Sequence, residues 1–534
     1  MIELFEIKGI GGVAPMLIYE NNRIQYAGMI SGVRGQVGTS FHMKKYDDID
    51  YWFNQNLIRN VSVLSGACVA IKKEVFEEIG GFDAVNTPSA HSDVDLSFKL
   101  IENGYRCVYT PYAKMTHIGN HSWEVKSKKD KSHIYCLKKW EKYISNDPYF
   151  TESMKCLFYN NTKNKYHIYS KNLGLFKDKV GCKDILFITH ELTRTGAPVQ
   201  LMNMIKSTYK NLNYFPVVVA PTDGPLREEF EDMGITVIID EDMLVAPDNI
   251  DSYARNFDLI VVNTMASVCI DALKALKNTL PPILWWIHEG NYVYDMLKKR
   301  LPKFLHKNVH LYCASEYSQR ILENHSSELK SEIIRCGVED FSREYDIKYD
   351  ESGKLVFITV GTIEWRKGQD LLVEAIEKIG ENYCNRIKFY IIGCPYDVKI
   401  MSKIEECGKK YSCIEYIDVI PREDLMEIYS RSICSIIPSR DEPTSLIGIE
   451  SMMFSKAIIT SDMTGISEKI TDGINGYIFE NDNSDQLAEK IRFVVDNVEK
   501  VIEAGKKSRR VYEDKYTIDI FSERCMEVIS KLID

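Results

Sequence analysis

The chain has 534 residues, long enough for two to four domains that each bury a full core. Its 45% hydrophobic and 27% charged content is ordinary for a globular protein, and a net charge of −10 with a pI near 5.7 excludes a generic nucleic-acid binder. Its 14 cysteines contain no Cys-x-x-Cys pair, which fits buried thiols in a reducing cytoplasm rather than zinc ribbons or a disulfide framework.

No apolar run nears the roughly 18 residues needed to cross a bilayer, and Met1 is expected to open no signal peptide. Basic stretches at 126–131 and 298–303 could touch an anionic membrane surface, although solvated loops or helix faces explain them equally well.

In chain order, residues 1–150 form the first unit. Residues 17–19 and 24–27 flank an Asn21-Asn22-Arg23 turn and predict a hairpin. The stretch Ser65-Gly66-Ala67-Cys68-Val69-Ala70-Ile71-Lys72 and a helix ending in Ile79-Gly80-Gly81-Phe82-Asp83 follow, and His91-Ser92-Asp93-Val94-Asp95 opens another helix. A further strand then leads to Pro111 and His117. Residues 151–182, rich in Lys, Asn and Tyr, read as a linker.

From 183 onward, short apolar runs alternate with amphipathic stretches, the rhythm of doubly wound parallel sheets. The runs at 184–189, 215–220, 259–263 and 283–287 make one lobe, 183–345. Those at 355–361, 386–392, 414–417, 432–437 and 457–460 make a second, 346–534, with the joint in the polar stretch 345–353. The segment 518–532 reads as a terminal helix with no strand after it.

Four motifs sit at strand-to-helix junctions of the two lobes. His190-Glu191-Leu192-Thr193-Arg194-Thr195-Gly196-Ala197-Pro198 follows the first strand, where glycine lets backbone amides approach a phosphate. Trp285-Trp286-Ile287-His288-Glu289-Gly290 ends another strand, with Glu289 either serving a ligand or pairing with the basic cluster at 298–300. Gly361-Thr362-Ile363-Glu364-Trp365-Arg366-Lys367-Gly368 opens the second lobe.

The fourth, Arg440-Asp441-Glu442-Pro443-Thr444-Ser445-Leu446-Ile447-Gly448-Ile449-Glu450, sets two carboxylates eight positions apart across a helix start. Thr444 and Ser445 are good N-caps, so the positive helix end can face an anion while Glu442 and Glu450 stand beside it. Such an arrangement suits phosphates flanked by hydroxyl groups, as in a nucleotide-sugar. An acidic loop before an ordinary helix is the plain alternative, since Glu-x7-Glu alone matches often by chance.

Together with Ser455-Lys456-Ala457 and the turns at Thr464-Gly465 and Asp472-Gly473, the last stretch resembles the donor signature of family 4 glycosyltransferases. The resemblance spans about 350 residues and implies a GT-B fold, an α/β architecture of two Rossmann-like lobes. It departs at Pro443, Ser445 and Thr362, where the family has glycines and an arginine, and at Ala457, where it has proline.

It also implies a retaining, metal-independent enzyme without cofactor, taking a UDP- or GDP-sugar to a glycan or lipid-linked acceptor, in the cytoplasm or at the inner membrane face. Catalytic roles carried over fall on His288 (donor sugar), Glu442 (sugar hydroxyls), and Arg366 and Lys367 (diphosphate). Donor-binding roles fall on Gly196, Thr444, Ser445, Leu446 and Glu450, the last holding the ribose. In the other two readings, the fold would serve as a nucleotide-sugar 2-epimerase or as a non-catalytic scaffold of a glycan-assembly complex.

Residues 1–150 resemble the C-terminal half of a family 2 glycosyltransferase (GT-A fold). Asp93 matches that family's catalytic base and His117 its metal-holding histidine. The nucleotide-binding half that precedes them in the family is missing here, so the resemblance implies a vestigial base and a relic, a truncation or a partner platform.

Overall fold

A computed structural model describes residues 1–48, 54–118, 131–158, 166–171, 181–210, 213–276, 281–297, 299–302, 305–326, 328–347 and 353–533. The parts of the basic stretches at 126–130, 298 and 303, and of the interlobe joint at 348–352, lie outside the described residues.

The N-terminal unit holds β1 (Ile10–Ile18), β2 (Ile24–Tyr26), β3 (Met29–Val33), β4 (Gln36–Thr39), β5 (Arg59–Asn60), β6 (Ala70–Ile71) and β7 (Arg106–Thr116). The expected hairpin is present, with Leu17 opposite Tyr26, and β1 runs parallel to β7. The apolar stretch at 65–72 supplies only the two residues of β6, paired with Gly12 and Val13. Helix Lys73–Glu78 lies where one was expected, and the longer helices Ser92–Glu102 and Lys131–Ser145 follow.

The stretch read as a linker is partly structured. It carries a helix, Glu152–Phe158, and β8 (Tyr166–Tyr169). β8 pairs antiparallel with β11 (Thr236–Asp240) and forms the edge of the first lobe's sheet, so that lobe begins before residue 183. β-branched and aromatic residues in Tyr166-His167-Ile168-Tyr169 favour a strand, a signal outweighed in the sequence by the surrounding Lys and Asn.

The remaining strands of the first sheet are β9 (Lys183–Ile188), β10 (Tyr214–Ala220), β12 (Leu259–Asn263), β13 (Ile283–Ile287), β14 (Val309–Cys313) and β15 (Glu332–Ile333). Their order is β15-β14-β13-β12-β9-β10-β11-β8, with every pair except β11–β8 parallel. The second lobe has β16 (Leu355–Val360), β17 (Ile387–Ile392), β18 (Ile414–Ile417), β19 (Cys434–Ile437), β20 (Ala457–Ser461) and β21 (Tyr477–Phe479). These form an all-parallel sheet in the order β18-β17-β16-β19-β20-β21. Their inner residues are buried on both faces, as sheets covered by helices on each side require.

The chain returns to the first lobe at its end. Helix Ile518–Ile533 packs on helix Gly196–Lys210, with Ser522 Oγ 2.8 Å from Ser207 Oγ. The crossing is close: a Cβ on Gly337 would stand 2.4 Å from that of Phe521. One hydrophobic core therefore runs through both lobes.

A second core joins the N-terminal unit to the first lobe. Ile134, Leu137, Trp140 and Ile144 of helix Lys131–Ser145 lie among Leu186, Ile188, Phe215, Val217 and Ile238 of the sheet. Buried ions tie the same contact: Lys138 pairs with Asp184, and Arg34 reaches Asp240 at 2.5 Å and also pairs with Asp242.

Candidate active site

The C-terminal ends of the parallel strands of both lobes face one cleft, where open α/β sheets bind ligands. Gly196 is the first residue of helix Gly196–Lys210, and Leu446 is the first residue of helix Leu446–Met453. A Cβ on Gly196 would sit 3.7 Å from Leu446 Cδ1, so two helix N-termini abut across the lobes. Ser445 caps the second helix, its Oγ accepting from the Gly448 amide at 3.2 Å. Thr444 Oγ1 beside it is sealed from solvent, next to the Cys336 thiol.

The basic pair and the first glutamate meet as expected. Lys367 Nζ donates to Glu442 Oε2, and Arg366 Nη1 lies 3.3 Å from the same oxygen while Nη2 reaches Glu364 at 2.8 Å. Burial alone would raise the Glu442 carboxyl, but the Lys367 and Arg366 charges hold it below the ordinary range, so it is ionised. Two glycines with positive φ shape this turn. Gly361 (φ +143°) lies beneath the Lys367 stem, and Gly368 (φ +70°) leaves room for the Pro438 carbonyl, which a Cβ would meet at 1.9 Å.

Glu450 stands farther along the helix, its carboxyl raised by burial and drawn partly back by Arg422 at 3.5 Å. His288 ends β13. Its Nε2 lies 2.9 Å from Asn263 Oδ1, and its ring centroid lies 4.2 Å from that of Trp286. Burial pushes the imidazole down to a pKa of about 3, with a smaller push from His190, so the ring is neutral at physiological pH.

Among the described residues, Glu289 makes no ion pair with the basic cluster. Its two oxygens accept the amides of Met265 and His288, both at 2.8 Å, and Arg300 binds Asp271 instead. Burial pushes the Glu289 carboxyl up to about 7.

Asp441, next to Glu442, has no assigned role in the sequence reading but links the lobes. Its carboxylate accepts from the Tyr292 amide at 2.8 Å and the Tyr317 hydroxyl at 3.0 Å, both in the first lobe. Its carbonyl accepts from Arg366 at 2.9 Å. Gly290 is the space it needs, because a Cβ there would stand 2.1 Å from Asp441 Oδ1. Ser315 Oγ donates to the Pro443 carbonyl at 2.7 Å, so the proline in place of a family glycine still presents a usable acceptor. An aspartate inside an already assigned loop carries no separate sequence signal. Asn263, a polar residue ending an apolar strand at the cleft, does carry one.

Asp93 lies apart, in the first turn of helix Ser92–Glu102. Its Oδ2 accepts the Gly66 amide and its Oδ1 the Val94 amide, both at 3.0 Å. His117 Nδ1 pairs with Gln25 at 2.7 Å. Among the described residues, no three His, Cys, Asp or Glu side chains gather to hold a metal.

Two Rossmann-like lobes with a terminal helix crossing back, and a cleft between them, define a GT-B glycosyltransferase fold. Sequence families agree with it: the family described as Glycosyl transferases group 1 matches residues 342–511, and Glycosyl-transferase family 4 matches 181–340. Glycosyl transferase family group 2 matches 16–204. The chain thus carries a family 4-like GT-B module preceded by a group 2-like domain.

The Anabaena protein HepE, solved in complex with UDP and glucose, superposes with a TM-score of 0.54 at 16% identity, covering 65% of this chain and 99% of that one. An uncharacterized glycosyltransferase of Methanocaldococcus jannaschii is 28% identical over 245 residues, 43% of this chain and 63% of its own length. The lipopolysaccharide 1,2-N-acetylglucosaminetransferase of Salmonella typhimurium is 26% identical over 191 residues, 34% and 49% of the two chains. The chain spans less than two thirds of the length of these two curated relatives.

Proposed function

We propose that the chain transfers a sugar, with retention of configuration and without a metal, from a nucleotide-diphospho-sugar to a glycan or lipid-linked acceptor. The observation that carries this reading is the cluster of Lys367, Arg366 and Glu442 beside the facing helix starts at Gly196 and Leu446. As the bond from the sugar's C1 to the diphosphate breaks, negative charge grows on the leaving oxygen. Two fixed cations and two helix ends favour that state over the ground state.

Glu442, kept ionised, then exchanges part of its hold on the cations for the sugar hydroxyls, and Glu450 takes the ribose hydroxyls. His288 faces the donor sugar from the first lobe. The acceptor oxygen attacks C1 on the face the diphosphate leaves, and its proton passes to the departing phosphate oxygen. The bridge from Asp441 to Tyr292 and Tyr317 keeps the lobes together and water out.

UDP and glucose bound to HepE support a UDP-sugar donor, and the Salmonella enzyme's lipopolysaccharide role supports an acceptor in cell-surface polysaccharide synthesis. Among the described residues no helix is long and apolar enough to cross a membrane.

Calorimetric titration of the full chain with UDP and with GDP, EDTA present, tests the reading. Binding of one nucleotide that Glu450→Ala weakens is expected. Binding of neither would overturn it.

A further inference from the structure

Asn263 is the last residue of β12 and is fully buried. Its side chain has two fixed neighbours. Nδ2 lies 3.1 Å from the Ala197 carbonyl, and Oδ1 lies 2.9 Å from His288 Nε2. A carbonyl only accepts, so the amide must turn its NH₂ toward Ala197 and its oxygen toward the ring. That oxygen also only accepts, so Nε2 must carry the imidazole proton.

Burial keeps the ring neutral, and a neutral imidazole protonated on Nε2 has its lone pair on Nδ1. His288 is only partly buried, and Nε2 makes the ring's one hydrogen bond among the described residues. The neighbouring charges do not compete for Nδ1. Glu289 turns its oxygens to the Met265 and His288 amides, and His190 contacts Thr264 and Glu191.

We propose that Asn263 is a positioning residue that locks His288 in its Nε2–H form, leaving Nδ1 as an acceptor for a ligand hydroxyl in the cleft. Resting on the glycosyltransferase reading, the hydroxyl belongs to the donor sugar. Because Ala197 follows Gly196, the same amide ties the ring to the helix start that faces the phosphates. A diphosphate that settles that helix therefore also settles the orientation of the sugar contact.

The test is nitrogen-15 NMR of histidine-labelled full-length protein, with the His288 signals assigned by their loss in His288→Gln. Wild type is expected to show a protonated Nε2 and an unprotonated Nδ1, unchanged from pH 8 to pH 5. Asn263→Ala is expected to give a mixture of tautomers, and Asn263→Asp a ring carrying both protons at neutral pH. UDP-glucose, UDP-galactose or UDP-N-acetylglucosamine is expected to shift the Nδ1 signal, and UDP alone is not.

A wild-type ring protonated on Nδ1, or a single unchanged tautomer in Asn263→Ala, overturns the proposal. If neither variant folds, the wild-type tautomer still decides. A sugar nucleotide series that binds without moving Nδ1 overturns the acceptor role. Failure of wild type to bind UDP or GDP overturns the function proposed above, while the tautomer result stands on its own.

Discussion

Glu442 and Asp93 are both carboxylates near the start of a helix, each matched to a glycosyltransferase motif, yet their surroundings differ in kind. Glu442 is buried against two cations on the wall of a complete two-lobed cleft. Asp93 is half-exposed, held by two backbone amides, and makes no ion pair among the described residues. Two carboxylates at helix starts thus stand in different electrostatic surroundings, one against cations and one against amides. What the N-terminal unit gives the first lobe is a helix and two cations, Lys138 and Arg34, at the shared contact.

Substitutions can break this contrast. Lys367→Ala should lower turnover on the order of 100- to 1,000-fold while nucleotide affinity changes much less, since its charge matters most as the diphosphate leaves. Unchanged turnover would remove Lys367 from the assigned role. Trp140→Ala, in the helix that covers the first lobe, should cost about 3–5 kcal/mol by denaturant titration. It removes a buried ring and leaves Asp95 without the indole donor that now stands 2.8 Å away. A loss under about 1 kcal/mol would make the N-terminal unit a separable appendage.

A pH series sharpens the electrostatics of the cleft itself. The folded-state pKa of Glu289 is raised from 4.5 to about 7, so its contribution to stability is complete below pH 4.5 and is lost as pH rises through 7. Relative to Glu289→Gln, wild type should lose on the order of 3 kcal/mol between pH 5 and pH 8.5. Parallel stability curves for the two proteins would place the carboxyl in water. The smallest effect belongs to Asp93→Asn, expected to leave transfer unchanged and stability within about 0.5 kcal/mol. A large loss of transfer there would restore catalysis to the N-terminal unit.

Much of this was legible in the sequence because parallel strands buried on both faces are unbroken apolar runs. The segments 259–263 and 283–287 coincide with strands β12 and β13. The strand-end motifs placed Arg366, Lys367 and Glu442 together for the same reason: each follows such a run. β8 escaped because an edge strand of four residues carries little hydrophobic signal. The lobe bridge through Asp441, and the tie from Asn263 to His288, join residues 149 and 25 positions apart, and nothing local announces such a pairing. The shared core of the N-terminal unit and the first lobe escaped likewise, since the apolar face of helix 131–145 reads the same whichever sheet it covers.

That shared core also orders events during synthesis. The helix at 131–145 leaves the ribosome before β9, β10 and β11, the strands whose residues share its core. Until residue 240 has emerged, its apolar stripe has no complete sheet to lie on and is a natural holding point for a chaperone. A ribosome-bound chain halted between about residues 190 and 240 should therefore be the most aggregation-prone stage in the making of this protein.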